Sequence, residues 1–76
     1  MKDKKITMVK EIYMENTTDG HNKFWDAELY DDGTVITRWG KIDKNEQSKV
    51  FPNEGEEFFE KKIEEKIKKS YVEVKD

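Results

Sequence analysis

The chain contains no cysteine, a single histidine, a single proline and only two serines, Ser48 and Ser70. Without cysteine there is no disulfide, no thiolate nucleophile and no cysteine zinc site, a usage that fits a reducing compartment. His21 sits in a Gly-Asn loop with no second ligand close in sequence, so no metal site is expected. With two serines, one distant histidine and no cysteine there is no credible nucleophile–base pair, and no glycine-rich phosphate loop is present, so no catalytic residues, no enzyme activity and no cofactor are expected. An apolar run long enough to cross a membrane is also missing, as is a charged-then-apolar leader, and the expectation is a soluble cytoplasmic protein with no membrane partner.

Seventy-six residues suit one domain, and a chain of this size buries only about 60% of the surface it exposes when unfolded. Charged residues make up 43% and hydrophobic residues 33%, a balance that leans toward disorder. Two tryptophans, four phenylalanines and three tyrosines, with isoleucine and valine spread evenly, argue instead for a small folded core. The net charge of −3 excludes a polycation that coats nucleic acid, so any anion binding must be local. Between residues 38 and 49, Arg38, Lys41, Lys44 and Lys49 outnumber Asp43 and Glu46, a local surplus of two positive charges.

Alternation of apolar and polar residues predicts the strands. Ile6, Met8 and, after a change of phase, Ile12 and Met14 mark the first, with Met1 to Lys5 as a frayed end. Residues 16–22 form a loop rich in residues that bond their own backbone. In Lys23 to Tyr30, Trp25, Ala27 and Leu29 should face the core, with Phe24, Asp26, Glu28 and Tyr30 on the other side. Asp32-Gly33 then predicts a hairpin with left-handed dihedrals, and Thr34–Ile42 returns antiparallel. After a polar loop, Gln47 to Phe51 is a short fourth strand stopped by Pro52. Asn53 and Glu56 have the spacing of a capping box, which predicts a helix to about Lys69. Phe59, Ile63 and Ile67, with Phe58, form its apolar stripe. Lys62, Lys66 and Lys69 line one flank and Glu56, Glu60 and Glu64 the other, while Glu57–Lys61, Glu64–Lys68 and Glu65–Lys69 have the spacing for helix ion pairs worth about 0.2–0.5 kcal/mol each. Tyr71 to Val74 is a final strand. The fold class is thus α+β, an antiparallel sheet of four to five strands packed against one main helix, in one domain with its core at about residues 6–74.

The end of the third strand is the least ordinary segment. Trp39 offers a large flat surface, Gly40 removes a side chain that would block close approach, and Arg38 and Lys41 bring positive charge. Such a cluster suits something planar or anionic. Trp39 shares strand parity with Val35 and Thr37, so it is either a core residue or an interface residue. Arg38 and Lys49 either pair across the sheet with Asp26 or Glu28 or, clustered near Trp39 and Lys41, contact phosphates.

Taken in order, Asn22-Lys23-Phe24-Trp25, Asp32-Gly33-Thr34-Val35, Thr37-Arg38-Trp39-Gly40-Lys41-Ile42, Gln47-Ser48-Lys49, Phe51-Pro52, the charged helix and Tyr71-Val72-Glu73-Val74 resemble a WGR domain, over nearly the whole chain. Lys41 stands where the family has arginine, keeping the charge but losing the planar fork. Ile42-Asp43-Lys44 stands where the family usually has Ile-Gly-Thr. The resemblance implies a sheet on one helix with no catalytic activity of its own. In poly(ADP-ribose) polymerases the WGR domain binds DNA near a strand end, its tryptophan packing on a backbone sugar and its arginine serving contacts among domains; those roles fall here on Trp39 and Lys41. Bacterial members include small single-domain proteins, the type that this chain is similar to.

Two readings follow. The first is a noncatalytic nucleic-acid-binding module, with DNA or a strand end held weakly by Trp39, Gly40, Lys41, Arg38, Lys49 and Lys44. The second is a protein-interaction module, with Trp39 and Phe24 or Tyr30 as an aromatic anchor. Neither calls for a small-molecule substrate, and the chain is expected to be a monomer or a weak homodimer.

Overall fold

The computed structural model describes residues 5–75. Five strands and one helix follow in the order β1 (Met8–Asn16), β2 (Lys23–Tyr30), β3 (Val35–Lys41), β4 (Glu46–Phe51), α1 (Gly55–Lys68) and β5 (Val72–Glu73), with a short helical turn at Thr18–Gly20 after β1. The strands form one antiparallel sheet in the order β4-β3-β2-β1-β5. This is the α+β architecture expected from the alternation, with five strands. The change of phase in β1 is a bulge, since the register against β2 slips between Met8 and Lys10. Of the expected frayed end, Met1 to Lys4 lie outside the described residues. Among the described residues, no helix is long and apolar enough to cross a membrane.

Helix α1 covers one face of the sheet. Met14, Trp25, Ala27, Leu29, Val35 and Phe59 form the buried core, edged by Ile12, Trp39, Phe51, Phe58, Ile63 and Tyr71. Trp25, Ala27 and Leu29 face inward as their alternation requires. Phe59, at 2% exposure, is the helix's anchor in the sheet, and truncating such a residue to alanine costs about 3–5 kcal/mol. Asn16 ties β1 to both neighbours. Its amide donates to the Lys69 carbonyl at 3.1 Å and its oxygen accepts from the Thr18 N–H at 3.0 Å, so a polar group at 7% exposure is satisfied.

Four local expectations are corrected. The β2–β3 connection is not a turn with two left-handed residues. Gly33 alone is left-handed, at φ 90°; its N–H donates to the Tyr30 carbonyl at 2.9 Å, and the Tyr30 N–H donates to the Thr34 carbonyl at 2.9 Å, the pattern of a turn closed by a glycine bulge. The capping box at Asn53 does not form. Asn53 is itself left-handed, at φ 58°, and the Gly33 carbonyl accepts from the N–H groups of Glu54 and Gly55 at 2.8 and 2.9 Å, so a distant turn satisfies the helix start. Ile67 is 56% exposed because the apolar stripe outruns the sheet beneath it. Finally, the helix carboxylates pair elsewhere: Glu56 and Glu60 both meet Lys10 of β1, and the ion pair within α1, among the described residues, is Lys62–Glu65 at 3.9 Å.

Candidate functional site

Strand parity divides the cluster at the end of β3. Trp39 stands opposite Trp25 and Gln47 and points to the helix side, whereas Arg38 stands opposite Asp26 and Ser48 and points to the open face. There its guanidinium lies 3.4 Å from Asp26, 3.3 Å from Glu28 and 3.9 Å from Glu46. The hydrogen bond with Glu28 holds the Arg38 pKa above its ordinary value. Burial pushes the Asp26 carboxyl up, opposed by Arg38 and reinforced by Glu28 and Glu46. Arg38 therefore does not share a surface with Trp39, and its charge is committed to the sheet's own acids. Phe24 and Tyr30 also lie on the open face, so they form no common anchor with Trp39. That face carries Glu11, Glu15, Asp26, Glu28 and Glu46 around Arg38.

Gly40 stands opposite Phe24 and Glu46, again on the side away from Trp39. A Cβ there would lie 2.8 Å from the Asn45 carbonyl oxygen and 3.4 Å from the Glu46 Cα. The close approach that this glycine permits is that of the chain's own β3–β4 turn. In the same turn Asp43 takes a left-handed φ of 66° and the Lys44 N–H donates to the Lys41 carbonyl at 3.1 Å.

Trp39 itself is half-buried. One part of the indole packs against the core, and the rest lines two clefts on the helix side. The first, at the end of the sheet, is walled by Trp39, Lys23, Lys41, Lys44, Gln47 and Tyr71, with Asp43 at its rim. The second, between α1 and the β3–β4 edge, is walled by Trp39, Trp25, Lys49, Phe51, Lys62 and Lys66, with Glu65 beside them. The structure thus brings Lys41, Lys44 and Lys49 to Trp39 and adds the helix lysines to them.

The lysines of the second cleft are held over rings. Lys49 lies 5.2 Å from the Phe51 centroid, Lys62 5.6 Å from Phe51 and 5.3 Å from Phe58, and Lys66 5.8 Å from Trp25 and 5.5 Å from Tyr71. Each such contact is worth about 0.5–1 kcal/mol where water still reaches it. Burial lowers the Lys66 pKa, and Lys69, Lys62 and Lys23 push the same way while Glu65 opposes them. In the first cleft Lys23 and Lys41 are direct register partners, and like charges directly opposite each other destabilise a sheet. An anion between them removes that cost.

Lys23 and Tyr71 were not legible as site residues from local motifs. Lys23 was recoverable from the hairpin, because a turn centred on Asp32 sets it opposite Lys41. His21 is exposed, and no group of acidic or histidine side chains suited to a metal occurs among the described residues.

A twisted antiparallel sheet under one helix, with a Trp-Gly pair ending its third strand between two lysine-lined clefts, defines a small α+β binding domain. The family model of the WGR domain matches residues 10–76, and the chain belongs to that family. No match was found among curated proteins or among solved structures.

Proposed function

We propose that this WGR domain is a noncatalytic nucleic-acid-binding module that works in the cytoplasm and holds DNA weakly at or near a strand end. Trp39 packs on a sugar or base, and Lys41, Lys44 and Lys23 contact phosphate in the cleft beside it. The observation that carries this reading is the placement of a half-exposed indole beside Lys23, Lys41 and Lys44, which have no ion pair with a carboxylate among the described residues. Family membership supports it. With few cations engaged, affinity is micromolar or weaker near physiological salt and falls as salt rises.

Titrating a labelled recessed-end duplex, a blunt duplex and a single strand at low salt, by fluorescence anisotropy, tests the reading. Binding that is lost in Trp39→Ala supports it; no binding to any probe, or binding indifferent to Trp39→Ala, overturns it. A protein contact on the same surface is the rival reading. It is favoured if a partner captured from the native host survives nuclease and high salt, and disfavoured if capture is lost under both.

A further inference from the structure

The second cleft has no role in the reading above. We infer that it is a second phosphate subsite, and that the ligand is a single strand, or a single-stranded overhang, whose successive phosphates lie on either side of Trp39. This inference rests on the nucleic-acid reading and says which form of nucleic acid the site takes.

Trp39 lines both clefts, so its indole forms the wall between them. A sugar or base packed on that wall has one neighbouring phosphate directed to Lys23, Lys41 and Lys44 and the other to Lys49, Lys62 and Lys66. Aromatic packing with cations tracking the backbone is how single strands are held without sequence preference. The second cleft runs between α1 and the β3–β4 edge of the sheet, so its lysines come from two elements that face each other across it.

The second cleft's charge is also uncommitted. Among the described residues Lys49 and Lys66 have no ion pair, and Lys62 has one long contact with Glu65. Aromatic rings lie under all three ammonium groups, and only that of Lys62 also meets a carboxylate. Burial and neighbouring lysines bear on Lys66 in the direction that an incoming anion would reverse. On the other flank of α1, Glu56 and Glu60 are engaged by Lys10, so the acidic side of the helix faces away from the cleft.

The test is a salt titration of a labelled oligothymidylate of about 12 nucleotides, run against wild type, Lys62→Gln/Lys66→Gln and Lys49→Gln/Lys62→Gln. The second pair leaves the packing of Lys66 on Trp25 untouched, and the far-ultraviolet spectrum checks folding of both. Two phosphates give a slope of log affinity against log salt near about −1.4; losing one gives about −0.7 and, at 0.1 M salt, about five-fold weaker binding. That change in both variants supports the second subsite. If both keep the wild-type slope and affinity while Trp39→Ala and Lys41→Gln weaken binding, the second subsite is overturned and the proposed function stands. If Trp39→Ala also changes nothing, both fall.

Discussion

Replacing Gly40 with alanine separates a glycine needed by a ligand from one needed by the fold. At φ 156° the backbone is in a region that residues with a Cβ rarely adopt, a strain of about 1–3 kcal/mol. The new Cβ also meets the Asn45 carbonyl oxygen at 2.8 Å, and because that atom is backbone, relief requires the β3–β4 turn to move. Forcing an extra carbon into packed surroundings costs about 1–3 kcal/mol more. A chain of 76 residues has a total stability of about 4–11 kcal/mol, so Gly40→Ala, at about 2–6 kcal/mol, removes between about a fifth of it and all of it. Urea and thermal unfolding followed by circular dichroism should show a fall in Tm of at least about 8 °C, given about 4–8 °C per kcal/mol for a domain of this size. Gly20→Ala is the control. Its φ of 82° carries strain, but nothing lies within 4 Å of the added carbon. If Gly40→Ala costs no more than Gly20→Ala, or folds normally while losing nucleic acid, the account of this glycine is wrong.

Other outcomes follow from the same geometry. Arg38→Gln should leave oligonucleotide affinity unchanged, unlike Lys41→Gln, and should cost about 1 kcal/mol of stability at neutral pH, read by urea unfolding. Because the Asp26 pKa in the fold is raised, the stability it contributes is present at low pH and lost as pH rises through the folded value. The defect in Arg38→Gln should therefore shrink on acidification. Burial, with help from the Glu15 hydrogen bond, pushes the Tyr13 hydroxyl up to about 12. Its stabilising share is intact below pH 10 and lost as pH rises toward 12, and a spectrophotometric tyrosinate titration that shows all three tyrosines ionising near 10 would refute this. Asn16→Ala leaves the Lys69 carbonyl and the Thr18 N–H without their partner, at a cost of about 1–3 kcal/mol in the unfolding midpoint.

Strands were legible because a period of two is written locally: Trp25, Ala27 and Leu29 could face only one way. The helix start was not legible, since Asn53 competed with a carbonyl twenty residues earlier in the chain, at Gly33, that only the folded sheet brings near. Ile67 continued a sound helical stripe, but the stripe says nothing of where the sheet ends. At the site, the same parity that ordered the core already implied that Arg38 and Trp39 part company. Their adjacency in sequence obscured this, and the pairing of Arg38 with Asp26 and Glu28 is the outcome of one of its two readings. The convergence of Lys62 and Lys66 with Lys49 depends on how α1 lies across the sheet, which no local pattern encodes.

The net charge of −3 is the sum of two unlike surfaces. Carboxylates crowd the open face of the sheet and lysines gather around Trp39 on the other, where the glutamates on the far flank of α1 look away from them, so charge is spread unevenly over the molecule and sets up an electric axis. Within about 10 Å of another polyanion at 0.1 M salt, that axis exerts a turning force. An anionic partner that meets the acidic face would be repelled, and one that meets the lysines around Trp39 would be drawn in. On a chromatography column the same axis should let one small acidic protein adhere to anion and cation exchangers alike at low salt, each resin gripping the face that the other leaves exposed.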